Sequence, residues 1–556
     1  MRRGVFFGAA LGMLLWATGA GAAPPPAVVV LKAVTTNKVV LVGRPFYVTA
    51  KVADRAPSPR KAIVTVSLDA TTLAATSVVV RPHHPVTVKL PISLATPGRT
   101  RLTVAIAQGP SRGVAVDVAE FRVRTASVIV PSFAGYGAQF NHHVYSALSR
   151  AVGVTDENVA DMEQKMRLLH PQFSRIFFTP QAFSDPDKMQ SFVRTVQFAQ
   201  SIGTDINITW QGGTLSVAAG TVQKFADVLL DLVRNRGVTH LRWLTLQNEP
   251  NRTRITMDTY ERQYRELDPY IQSIRGQVKY MGGDLVRGPD TGAPNQQAWF
   301  QYMATHMSDI LDAYSIHVFW DYWDTQKIVD RLNEVRAIVD ALPESGRKPV
   351  YVAEYGVRGL RTFNGAPTVD PGVWQDGTPI TATNISAFQH AVFDVLAAQL
   401  GYIGTSKWDA YYGKYDNATQ AYYMVGAPQN GWPLYPMYNF MQLLTTTVKR
   451  QWEIVSVDAV PGTTRSLAAY LGKKKQQTVV GLDTAGAQLN TVSPSPPVSY
   501  SIAGLPPSKR LNLLIWNEAG DGLVGPKHVV QSDAAGMVTI TVPQHAVFVL
   551  TSLRLG

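Results

Sequence analysis

Leu241-Arg242-Trp243-Leu244-Thr245-Leu246-Gln247-Asn248-Glu249-Pro250 is mostly apolar as far as Leu246 and then turns polar for three consecutive residues. Pro250 has no N–H to give a sheet ladder, so the strand stops there. A core strand gains nothing from a carboxylate unless the chain has emerged from the core at that point. Pro349-Val350-Tyr351-Val352-Ala353-Glu354-Tyr355-Gly356 follows the same logic, with Glu354 at the end of a second apolar run. The two glutamates lie 354 − 249 = 105 residues apart, room for three further strand-helix units between them. In an eight-fold parallel barrel both would stand at strand ends on one mouth, where such barrels keep their chemistry.

The sequence around these two runs alternates strand and helix. Strands are predicted at 133–139, 173–179, 205–210, 241–248, 278–284, 313–319, 349–354 and 405–411. Amphipathic helices are predicted at 162–169, 188–201, 222–233, 260–274, 297–310, 326–342, 385–400 and 437–448. Eight alternations with short apolar strands make a closed (β/α)8 barrel over residues 128–448 the economical solution. Residues 27–124 instead show period-two patterning broken by Pro and Gly, which suggests an immunoglobulin-like β-sandwich. The same grammar returns over 449–556 and predicts a second β-sandwich docked on the barrel. Lys473-Lys474-Lys475 reads as an exposed hairpin tip within it.

Arg2 and Arg3, the apolar stretch from Val5 to about Ala17, and Ala20-Gly21-Ala22 read as a signal peptide over residues 1–22. A secreted or periplasmic protein with no membrane span after signal removal is therefore expected. The 556 residues contain no cysteine, which excludes thiolate metal sites and cysteine nucleophiles and leaves stability to core burial. The net charge of +12 becomes about +10 without Arg2 and Arg3. It could favour an anionic polysaccharide, envelope or nucleic acid, but reads more simply as a soluble basic surface, and no nucleic-acid partner is expected.

Asn248-Glu249-Pro250 on the fourth strand and Glu354 on the seventh resemble the signature of glycoside hydrolase clan A, the retaining (β/α)8 enzymes. The flanking β-domains resemble those of its β-xylosidase, glucuronidase and arabinofuranosidase families. The resemblance covers residues 128–448. It implies that Glu249 is the acid/base, that Glu354 is the nucleophile and that Asn248 meets the 2-hydroxyl of the reacting sugar. It also implies roles for Arg175 on the second strand, His317 on the sixth and Trp408 on the eighth. One position departs from the pattern: Phe319 stands where many members have a tyrosine that bonds the nucleophile, and Tyr322 or Tyr355 would have to supply that hydroxyl.

On this reading Glu354 must be ionised to attack, which Arg175 would favour. Glu249 must start protonated, so its pKa should lie above the ordinary value, raised by the charge of Glu354. Trp210, Trp320 and Tyr322 fall where rim aromatics could stack on sugar rings. Five aromatics between residues 313 and 323 exceed what loop packing requires. Asp284, Gln139 and Asn141 could add polar contacts. Asp321 and Asp324 have no metal-ligand spacing with His317, and neither metal nor cofactor is expected. The sequence thus predicts a monomeric glycosidase acting on an oligosaccharide or polysaccharide, acidic polymers included. A transglycosylase would use the same residues, and a barrel that binds carbohydrate without catalysis is the competitor from another class. The loops at 361–381 and 414–436 would wall the cleft.

Overall fold

The computed structural model describes residues 29–54, 57–107, 109–212, 220–253, 255–287, 295–414, 421–485, 496–516 and 528–555. The expected signal peptide lies outside them. Among the described residues no helix is long and apolar enough to cross a membrane.

The chain separates into two compact units, the first ending at Val116 apart from residues 96–98. In the first, a three-stranded sheet (Val29–Thr35, Phe46–Asp54, Val86–Ile92) accompanies a five-stranded one (Val39–Leu41, Ser111–Ala119, Gly98–Ile106, Arg60–Leu68, Thr71–Val80). Val48, Ala50 and Val52 on one sheet and Val64, Val66, Leu102 and Val104 on the other are fully buried at alternate positions. That is the period-two burial of strands with one face on a core.

In the second unit, eight parallel strands close into a barrel: Gly135–Gln139, Phe173–Phe178, Asp205–Trp210, Leu241–Leu246, Lys279–Leu285, Ala313–Asp321, Val350–Arg358 and Gly404–Lys407. The glycine-rich first strand closes the ring by pairing with both the second and the eighth. Helices follow the strands as their sequences require. Thr155 caps Asp156–Leu169 in a reciprocal pair with Asn158. Asp185 accepts from the N–H groups of Asp187 and Lys188 at the start of Pro186–Ser201.

Three departures from the expected strands shape the site. The sixth and seventh strands do not end at Phe319 and Glu354; they stay paired outward to Asp321 and Arg358 and carry their side chains beyond the ring. In the fifth strand Gly282 pairs with Tyr314 and Leu285 with Ile316, leaving Gly283 and Asp284 as a bulge. Gly283 has φ 122°, and a Cβ there would come within 2.4 Å of the Ser315 carbonyl oxygen, so only glycine fits. The eighth strand ends at Lys407, and Trp408 follows it.

A further sheet has nine strands, with Phe121–Val130 seventh in the order, between Glu453–Ala459 and Val498–Ala503. The boundary at 124 read from the sequence is thereby corrected, because Phe121 and Val123 are buried in this sheet's own core. Its strands alternate faces. Leu467, Ala469, Val479, Phe548 and Leu550 turn to that interior, while Ala468, Tyr470, Val480, Trp516 and Val549 join the buried cluster of the barrel. Trp516 packs against Phe440 of the last barrel helix with ring centroids 6.3 Å apart. Lys473–Lys475 forms an exposed turn between two of the strands.

Candidate active site

Glu249 owes its position to an unusual turn. Asn248 N–H still donates to the carbonyl of Trp210 on the third strand (3.1 Å), but Gln247 (φ 100°) and Glu249 (φ 47°) both take left-handed backbone conformations. Non-glycine residues adopt these at an energetic cost that surrounding structure must cover. Glu354 comes from the seventh strand directly opposite His317, where a register shift re-aims the pair. One side-chain oxygen from each glutamate and one ring nitrogen of His317 all lie within 4.8 Å of one another.

Arg175, fully buried, organises what lies beneath. Its guanidinium donates to Glu354 Oε1, to Asp284 Oδ2 (2.5 Å), to Asn248 Oδ1 (2.7 Å) and to Gln139 Oε1 (3.3 Å), and its Nε donates to Thr209 Oγ1 (2.9 Å). The bulge aims Asp284 at this guanidinium, and Ser315 Oγ donates to Asp284 Oδ1 (2.6 Å). His317 Nδ1 stands 3.1 Å from Glu249 Oε1 and 3.4 Å from Glu354 Oε2, and its Nε2 stands 3.6 Å from Asp284 Oδ2. Arg252, one turn after Glu249 and largely exposed, donates to Glu249 Oε2 at 2.9 Å.

These neighbours reverse the expected electrostatics. Burial alone would raise Glu249, but hydrogen bonds and charge from His317 and Arg252 outweigh it and pull its pKa down to about 2. Burial pushes Glu354 up; His317 and Arg175 offset this only in part, and Glu249 and Asp284 reinforce it. Burial works against a charge on His317, yet Glu354, Asp284 and Glu249 around it raise its pKa to about 9. Asp284 is held well below the carboxylate range, burial notwithstanding, by Arg175 and His317. Arg175 and His317 thus supply two positive charges and Asp284 one negative. With Arg252 a third cation bonded to Glu249, these charges favour an ionised Glu249, whereas burial favours the protonated form of Glu354. The missed factor is the charge on His317.

A cleft of about 250 Å³ opens above the pair, lined by Phe177, Asn248, Glu249, Glu354, Trp408 and Tyr422 among others. Asp370 and Tyr422 also line it, so both loops expected to wall the cleft reach it. Trp408 packs on Phe177, with centroids 5.7 Å apart, and Phe177 lies under the Arg175 guanidinium at 4.5 Å. Gly356, facing the same side as Glu354, leaves room for Phe319 and Tyr422, whose rings would lie 3.2 Å from a Cβ there.

Several residues expected at the site are placed elsewhere. Side chains alternate across a strand, so the residues next to Phe319 and Glu354 face the helices. Trp320 is fully buried there, stacks on Phe393 at 5.3 Å and donates from Nε1 to Gln389 Oε1 (2.9 Å). Tyr355 stacks on the same Phe393 and donates to Asp394 Oδ2 (2.9 Å), so its hydroxyl does not replace the missing tyrosine. Tyr322 packs against Trp323 and Trp374 instead of Glu354. Trp210 is buried against Phe178, Phe183 and Phe225. Arg175 has no exposure and acts through Glu354 and Asn248, not on a ligand. Asn141 caps a helical turn by accepting from His143 N–H (3.0 Å), and Asp321 and Asp324 both pair with Lys327. Glu249, His317 and Glu354 could converge on a cation geometrically, but the guanidiniums of Arg175 and Arg252 already pair with the two carboxylates.

Replacing Arg252 tests its hold on Glu249. Arg252→Ala removes a cation, so the cluster of Glu249, Glu354 and His317 keeps its protons to higher pH. The alkaline limb of kcat/KM should move up, on the order of half a pH unit, since an exposed ion pair contributes up to about 1 kcal/mol. An unmoved or acid-shifted limb in a pH–rate profile would show that Arg252 does not bear on the pair.

No protein-family model matches the sequence, and no curated protein matches it. Solved structures do. An endoxylanase of glycoside hydrolase family 30 from Clostridium papyrosolvens is similar with a TM-score of 0.53 and 11% identity, over 78% of this chain and 100% of that one. A family 30 subfamily 8 xylanase from Clostridium acetobutylicum gives 0.50 and 11%, over 78% and 99%. An endo-beta1,6-glucanase gives 0.54 and 9%, over 80% and 97%. At such identities the likeness is one of fold, and in fold this chain is a closed (β/α)8 barrel with additional β-sheets.

Proposed function

We propose that this protein is an exported retaining β-glycosidase, hydrolysing O-glycosidic bonds of an oligosaccharide or polysaccharide by double displacement. The observation that carries the reading is the approach of Glu249 and Glu354 to within 4.8 Å at the floor of an open cleft. A retaining pair needs its carboxyls about 5–5.5 Å apart, whereas an inverting pair stands about 6.5–9.5 Å apart to admit a water. Export rests on Arg2, Arg3, the apolar stretch after them and Ala20-Gly21-Ala22.

Glu354, held by Arg175, attacks the anomeric carbon, and Glu249, nearer the rim, protonates the departing oxygen and later deprotonates water. In the free protein the surroundings favour a proton on Glu354 over one on Glu249. His317 Nδ1, within reach of both carboxyls, is the group through which that proton passes from Glu354 to Glu249 as the sugar displaces Arg252. The amide of Asn248, its oxygen already bonded to Arg175, is left to meet a sugar hydroxyl.

The pKa directions favour a second assignment, with Glu249 as nucleophile and Glu354 as acid. Glu249→Ala separates the two. As acid/base, its loss should lower turnover of poor leaving groups by about 10²–10⁴-fold while activated aryl glycosides, which need no proton, are spared in the first step. Equal losses on both substrate types in steady-state assays would favour the reversed roles.

A further inference from the structure

We infer that a second cleft, continuous with the catalytic one, binds an oxyanion carried by the saccharide, so that the substrate of the proposed glycosidase is an acidic sugar polymer. The substrate assignment rests on the hydrolase reading, whereas the anion site itself does not.

The second cleft, also about 250 Å³, is lined by Arg252, Arg287, Arg331, Arg358 and Arg361, with Val286, His317, Val318 and Phe319 completing it. No carboxylate lines it among the described residues. Arg252, Val286, Phe319 and Arg358 line both clefts, so a sugar chain bound over the glutamates reaches the arginines with a neighbouring unit or substituent. The arginines come from four places: the turn after the fourth strand, the end of the fifth strand, the helix Gln326–Asp340, and the far end of the seventh strand with its loop.

Gathering guanidiniums in a cleft costs free energy through like-charge repulsion, and part of that cost is met nearby. Arg252 bonds Glu249, Arg287 lies 3.4 Å from Glu334, and Arg361 contacts Asp370. Arg358 is different. Among the described residues it has no ion-pair partner, and its Nε is buried without a hydrogen bond. Its guanidinium lies over the Phe319 ring at 5.0 Å and beside the Tyr422 hydroxyl. An arginine held over an aromatic ring keeps its fork of donors in place, which suits a carboxylate or a sulfate and is less suited to a neutral hydroxyl. Phe319, the departure from the clan pattern, thus has a role in this chain: it trades a hydroxyl near Glu354 for a platform under Arg358. The net charge of about +10 left without Arg2 and Arg3 would steer such a polymer toward the cleft.

Carboxylates of uronic acids and sulfate esters share this chemistry, and binding measurements distinguish them. Full-length Glu354→Gln, which cannot turn over, would be titrated calorimetrically with a panel of oligouronates, their carboxyl-reduced counterparts and sulfated neutral oligosaccharides. An acidic class should bind at least tenfold tighter than its neutral counterpart, with affinity falling as salt rises. Adding Arg358→Gln should remove that preference, and Arg358→Lys should restore only part of it. Thermal melts confirm folding, and Arg252→Gln, at an exposed side chain, provides a second variant expected to weaken acidic binding. Equal affinity for acidic and neutral sugars, or an acidic preference untouched by Arg358→Gln, would overturn the inference. Arginine-dependent acidic binding by a native chain that hydrolyses no glycoside would keep the anion site and remove the hydrolase reading. Hydrolysis of neutral glycosides without acidic preference would do the reverse.

Discussion

Glu354→Ala should lower turnover of any glycoside this chain hydrolyses by about 10⁴-fold or more, because on the proposed assignment Glu354 is the group that forms the glycosyl intermediate. Sodium azide should restore part of the activity on activated aryl glycosides and release a glycosyl azide of inverted configuration, since azide fits the space the carboxylate leaves. The fold should survive. Arg175 keeps Asp284 at 2.5 Å, and His317 keeps Glu249 at 3.1 Å, so neither buried cation is left without a counter-charge. A melting temperature close to that of the unaltered protein, with activity lost, is the expected pair of results. A folded Glu354→Ala protein with ordinary turnover would remove the assignment.

Deleting residues 449–556 should leave insoluble protein. The deletion uncovers the barrel surface that Tyr470, Val480, Trp516 and Val549 bury, and strips Phe121–Val130 of both neighbouring strands. The exposed strand would then carry an unpaired edge on each side, a template for aggregation. A gentler form of the same test is Trp516→Ala. Trp516 has no exposure and sits between the sheet and Phe440, so its truncation should cost about 3–5 kcal/mol in denaturant unfolding. A soluble, active barrel lacking the last domain would contradict the docking described above.

The barrel was legible because its signals are local. Apolar strands of a few residues alternate with 3.6-period helices, and the eight predicted strands and helices overlap those found. Glu249 and Glu354 were legible for the same reason: each interrupts an apolar run. What escaped depends on contacts between distant residues. Phe319 and Trp320 are equally aromatic, and only the register of the sixth strand sends one into the cleft and the other into the helices. Residues 121–130 carry alternation that any sheet could use, and nothing in it says they lie among strands some 330 residues further on. The charge on His317 comes from three carboxylates on three other strands, so the direction of both glutamate pKa values could not be read along the chain. The arginine cleft is hidden in the same way, its members spread from Arg252 to Arg361 without a run or a repeat. Asp284 was visible at its strand end, but its pairing with Arg175 depends on the bulge at Gly283.

The proposed roles of the two glutamates meet their most direct test in a trapped intermediate. On whichever aryl glycoside the protein turns over, the matching 2-deoxy-2-fluoro sugar with a good leaving group should inactivate it, because the fluorine slows both formation and breakdown of the glycosyl-enzyme while the good leaving group keeps formation the faster step. Peptide mapping by mass spectrometry should then find one sugar on the peptide Val350-Tyr351-Val352-Ala353-Glu354-Tyr355, attached to Glu354. A sugar on Glu249, or turnover with no covalent adduct at either glutamate, would contradict the account.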